Sequence, residues 1–83
     1  MKVKVIGKKV IDFTNQQTGD RVQGTNIFVT YEEDGVEGVK ADKIFIRSDS
    51  KVSIPVFSYG KVYDFVYEGL GRKQTLKRIE PAF

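Results

Sequence analysis

The sequence predicts an all-β domain, a small five-stranded barrel that takes up the whole of residues 1–83. Three observations predict it. Apolar and polar side chains alternate with period two along most of the chain, as they do in half-buried strands. Turn signals built on Gly, Asn and Asp break that alternation at intervals near a dozen residues, and little room is left for helix. Short strands at such spacing close into a small barrel or stack as a sandwich.

Each element has its own signal. Residues 2–14 begin with the alternation Lys2/Val3/Lys4/Val5, are interrupted at Gly7-Lys8-Lys9, and resume at Val10-Ile11-Asp12-Phe13-Thr14. One long strand with a bend or bulge near Gly7 accounts for both halves. Asn15 to Asp20 is a polar turn containing Gly19, as in a hairpin connection. The second strand runs from about Arg21 to Tyr31, with Thr25, Ile27, Val29 and Tyr31 as its core face. Phe28 then falls on the opposite face, either exposed or buried by a second layer. Asp34-Gly35 is a turn signal, and Val36 to Arg47 supplies a third strand with a break at Gly38.

Residues 47–53 read as a loop or a short helical turn. Pro55 argues against a central strand, and Ile54, Val56 and Phe57 are expected to plug one end of the core. The last hairpin pairs a strand over residues 61–68 with one over 72–80, around the turn at 69–71, and Pro81 ends the ladder. Val62, Val66, Leu76 and Ile79 are its expected core anchors, with Phe13, Phe45 and Phe57 assigned mainly to the core. An OB-type and an SH3-like barrel both fit this order. The long first strand favours the OB type.

Composition excludes several functions. There is no Cys and no His, which removes disulfides, thiolate metal sites and the usual imidazole base. No apolar run approaches the roughly 20 residues of a membrane span, and no signal-peptide pattern is seen. A soluble protein of the cytoplasm is the expectation. The aspartates recur in no partner pattern. Gly69-Leu70-Gly71-Arg72-Lys73 lacks the spacing and the strand–loop–helix context of a phosphate-binding loop. No enzyme, metal or cofactor is expected.

The formal net charge is +3. Residues 1–40 hold six basic and six acidic groups, and residues 41–83 hold eight and five, so the excess lies in the second half. Arg72, Lys73, Lys77 and Arg78 stand close together near the end, where they read either as a phosphate-binding group or as a solvated edge strand. Lys43 and Arg47 could extend such a patch, as could Lys2, Lys4, Lys8, Lys9 and Lys51. Tyr59, Tyr63 and Phe28 are the candidate stacking rings, since base–aromatic stacking tolerates any base. Glu32, Glu33, Asp34 and Glu37 form a separate acidic loop.

Two stretches carry a family resemblance. Phe13-Thr14, Gly19 and Gln23-Gly24 precede a strand, and Gly60-Lys61-Val62-Tyr63 is followed by Leu76-Lys77-Arg78-Ile79-Glu80-Pro81-Ala82. Together they resemble the first and last hairpins of the filamentous-phage gene V type of single-stranded DNA-binding protein. The resemblance implies an OB-fold homodimer that coats single-stranded DNA during phage or mobile-element replication, in the host cytoplasm. It sets Lys77 and Arg78 where the family's last strand contributes phosphate-binding bases, and Arg21 near a basic residue of the first hairpin. The chain departs from the pattern at Gln16, which replaces a basic residue, and at Leu70, which stands where an aromatic is expected. The 68–75 turn is also shorter than the family's dyad loop.

Sequence-independent binding of single-stranded DNA, with RNA as the competing ligand, is therefore the expected function. A peptide-binding module of the SH3-like type and a structural or phage-assembly subunit are the alternatives.

Overall fold

The alternating sequence forms five strands: β1 (Lys2–Thr14), β2 (Arg21–Tyr31), β3 (Lys40–Arg47), β4 (Val62–Glu68) and β5 (Thr75–Pro81). The structure, a computed structural model, describes residues 1–83. All strand neighbours are antiparallel, in one sheet of order β3-β2-β1-β4-β5. The fold is all-β, as expected, and the ladder stays open: β3 and β5 are its edges, and no pairing joins them. A single core cluster nonetheless draws residues from all five strands, so the sheet curls around it and leaves a seam between its edges.

The long first strand makes the curl. Lys2, Val3 and Lys4 pair with β4, while Lys4 to Thr14 pair with β2. The register shifts between Val5 and Gly7, so Ile6 is an extra residue and is half exposed. A bulge reverses which side chains face inward. Val5 points to the core opposite Val29, and two residues on it is Gly7, opposite Phe28, that faces outward.

Val3, Val5, Ile27, Val29 and Phe65 are fully buried, and no polar side chain is buried with them. Burying each such side chain stabilises the fold by about 1.5–3 kcal/mol. Phe57, from the β3–β4 connection, plugs one end and meets the Tyr63 ring edge-on at 4.9 Å between centroids.

Several expectations are corrected. The third strand starts at Lys40, not Val36, because Gly35 and Gly38 take left-handed conformations (φ 85° and 89°) that end extended pairing. Val56 is almost wholly exposed and plugs nothing. In β4 the inward residues are Tyr63 and Phe65, not Val62 and Val66. Their cross-strand partners decide this: Val3 is opposite Tyr63 and Ile79 opposite Phe65, and both partners are buried. Pro81 lies within β5 as its last residue, opposite Tyr63.

Candidate nucleic-acid interface

Register sorts the outward side chains of β1, β2 and β3 into rows, since directly paired residues project to the same side of a sheet. The rows run Lys4–Thr30–Ala41, Gly7–Phe28–Lys43, Lys9–Asn26–Phe45 and Ile11–Gly24–Arg47, and the face ends on Phe13–Val22. Val22 and Thr30 are eight residue steps apart, so at about 3.4 Å per step the face is roughly 27 Å long. No Asp or Glu occupies any of these positions.

The aromatic residues of this face are its least expected feature. Phe13 and Phe45, assigned to the core from sequence, are 53% and 42% exposed. Both follow from register: Phe13 is paired with Val22 beyond the bulge, and Phe45 lies between the inward-facing Ile44 and Ile46. Gly24 makes room for the Phe45 ring, since a side chain at position 24 would collide with that ring and with the Ile46 carbonyl. Phe28 is half-buried and leans over Gly7, so part of its ring is already covered.

The cations of the face are mostly free. Lys4, Lys9 and Lys43 form no ion pair, and Arg47 Nε sits 3.4 Å from Asp49 Oδ1 with both side chains 74% exposed. A pair that exposed holds its cation weakly. Arg21 is held more firmly. Its Nε and Nη2 donate to the two carboxylate oxygens of Asp12 at 3.0 and 2.9 Å, and Gln23 Nε2 donates to Asp12 Oδ2 at 3.4 Å. The Arg21 guanidinium, chiefly through this hydrogen bond, keeps the Asp12 carboxyl below its ordinary range, and Asp12 in turn raises Arg21. Arg21 also borders, with Phe45 and Arg47, a depression at the end of the face.

The last hairpin differs. Lys77 is an extra residue of β5, lying between Leu76 opposite Tyr67 and Arg78 opposite Val66. Lys77 Nζ is 3.6 Å from Glu68, and Arg78 Nε donates to Glu80 at 2.6 Å. Glu80 is paired across the ladder with Asp64, which binds the terminal amine of Met1 at 2.9 Å. Arg72 and Lys73 are exposed on the turn without ion pairs.

Tyr59 is exposed, with its ring 6.4 Å from Phe57. Tyr63 is only 3% exposed, and its hydroxyl accepts the Ser58 N–H at 2.7 Å. It serves the core and cannot stack on a ligand, which corrects its assignment as a site residue.

Of the residues singled out from sequence, Phe28, Lys43 and Arg47 therefore share one face, and Arg21 stands at its end. Lys77 and Arg78 are paired residues of another hairpin. Sequence reasoning missed Phe13 and Phe45, and it named Lys4 and Lys9 only as extensions of the patch. A signal for Phe45 was present: Lys43 and Arg47 flank it at the same parity, and two cations on one side of a strand mark the wet side. No family model, curated protein or solved structure matches the chain.

Proposed function

We propose that the protein binds single-stranded nucleic acid, DNA in the first instance, on the outward face of β1, β2 and β3, without strong sequence preference. The observation that carries this reading is the composition of that face: exposed phenylalanines among cations of which Lys4, Lys9 and Lys43 are unpaired, with no carboxylate at any outward position. An unpaired strand needs stacking surfaces for its bases and cations for its phosphates, and neither contact depends on base identity. In OB-type domains the face of the second and third strands and the first and last hairpin loops bind oligonucleotides, and the open five-stranded order found here is compatible with that arrangement.

A homodimer is part of the proposal. Only 10 of 83 residues are buried, a thin core for an isolated domain, and association of copies stabilises a folded state by mass action. Phage or mobile-element replication and a cytoplasmic location rest on the family resemblance alone.

The test is a salt titration of binding to single-stranded and duplex oligonucleotides of equal length. Affinity for the single strand should fall with salt, the logarithmic slope being about −0.7 for each phosphate neutralised. No binding at low salt would overturn the proposal, and equal affinity for duplex would reassign the surface.

A further inference from the structure

The seam between the sheet edges forms a groove that the stacking face does not use. Ile44 and Ile46 of β3 make one wall, Tyr67 of β4 and Leu76 of β5 the other, and Ser50 and Gln74 stand at the rim. Two features connect it to the face. Phe45 and Arg47 line both this groove and the depression at the end of the face, so a strand lying on the face reaches the groove by crossing the edge of β3. Lys51 and Lys77 border the adjoining hollow, which sets cations beyond the groove as well as before it.

The groove's own chemistry favours an uncharged ligand. Burial, and secondly the charge of Asp42, raise the Tyr67 phenol above its ordinary value, so it stays neutral and able to donate a hydrogen bond. Asp49 also lines the groove and opposes a phosphate inside it. Apolar walls with amide and hydroxyl groups at the rim match a flat heterocycle whose edge carries donors and acceptors.

We infer that the β3–β5 groove receives one nucleobase of the bound strand, inserted between Ile44 and Leu76, while Arg47 and Lys51 hold the phosphates on either side. The inference rests on the proposed single-strand binding and adds a second mode to it: insertion at the seam beside stacking on the open face.

The test uses the full 83-residue chain labelled with ¹⁵N. It is titrated at low salt with an eight-nucleotide oligothymidylate and with an abasic oligomer of equal length. The amide signals of Tyr67, Gln74 and Leu76 should shift with the first and stay in place with the second. Thr75→Trp, which fills the groove mouth from an exposed position, should weaken oligothymidylate binding about 5- to 150-fold, the range expected when one base loses its place, and leave the shifts of Lys9 and Lys43 intact.

Equal groove shifts with both oligomers would overturn the inference in favour of phosphate binding alone. Face shifts without groove shifts would overturn it and leave the stacking face standing. No shift anywhere would remove both. Groove shifts that follow protein concentration without oligomer would assign the seam to a second copy of the chain and sink the inserted base.

Discussion

The last hairpin and the outward face of β1, β2 and β3 look alike in sequence and differ in the fold. Each offers three aromatics among several cations, Tyr63, Phe65 and Tyr67 along one strand of the hairpin and Phe13, Phe28 and Phe45 one to a strand on the face. In the hairpin the alternation puts Tyr63 and Phe65 into the core, and Lys77 and Arg78 lie beside Glu68 and Glu80. On the other face the alternation leaves Phe13 and Phe45 exposed, and Lys4, Lys9 and Lys43 face no carboxylate. What separates the two regions is the partner strand. Aromatic residues opposite Val3 and Ile79 become core; an aromatic residue between Asn26 and solvent becomes a surface.

The largest expected effect breaks the hairpin. Phe65 is fully buried, and Phe65→Ala should cost about 3–5 kcal/mol of stability. For a domain of this size each kcal/mol lowers Tm by about 4–8 °C, so thermal melting followed by circular dichroism reads the loss directly. A melting temperature within a few degrees of the parent would mean that the ring does not anchor the core. Tyr63→Phe is the milder partner. It removes the acceptor of the Ser58 N–H and should cost about 1 kcal/mol, with affinity for single strands unchanged.

Next comes the outward face. Phe45→Ala should weaken single-strand binding by about 1–3 kcal/mol, the worth of one stacked base, and Phe13→Ala by a similar or smaller amount. Melting temperatures should change little, since neither ring is buried. Fluorescence anisotropy with a labelled oligonucleotide separates the two regions: Phe45→Ala loses affinity and keeps stability, whereas Tyr63→Phe loses stability and keeps affinity. The opposite pattern would return the stacking function to the hairpin.

The charges give a smaller and graded effect. Replacing Lys9 and Lys43 together with Gln should reduce the slope of log affinity against log salt by about 1.4, at about 0.7 for each phosphate no longer neutralised. The same change at Lys77 and Arg78 should move the slope less, because their charges already lie beside Glu68 and Glu80. Equal reductions would show that the hairpin cations contribute as fully as those of the open face.

These contrasts show what was legible in the sequence. Period-two alternation located all five strands, and the core face of β2 at Ile27, Val29 and Tyr31 followed from it directly. The bend at Gly7 was legible as well, since a strand that changes parity must gain a residue. Facing was not. Val62/Val66 and Tyr63/Phe65 are both apolar sets, and only pairing with Val3 and Ile79 chooses between them. The exposure of Phe13 depends on the register beyond Ile6, and that of Phe45 on β2 lying behind it, neither of which a single strand's pattern contains. The seam is the least legible feature, because whether β3 meets β5 depends on the curl of the whole sheet. Ion pairing was hidden for the same reason: Lys77 meets Glu68 across the ladder, nine residues back along the chain.

The smallest effect lies at the tip of the first hairpin. Arg21 holds the Asp12 carboxyl below its ordinary range, so the folded state binds that proton less readily than the unfolded chain does. The resulting stability is fully present above the unfolded carboxylate value of about 3.9, and it is lost as pH falls through the depressed folded value. Asp12→Asn removes the linkage. Melting curves should therefore place wild type above Asp12→Asn at neutral pH, with the gap narrowing as the pH is taken below about 4. Both partners are solvent-exposed, and salt should narrow the gap as acid does, since screening weakens surface pairs. A gap that widened toward low pH would mean that Asp12 is favoured in its protonated form, and Arg21 would then be free to take a phosphate. A gap that closes in acid and in salt keeps Arg21 bound to its own hairpin and leaves the open face to Lys4, Lys9, Lys43 and Arg47.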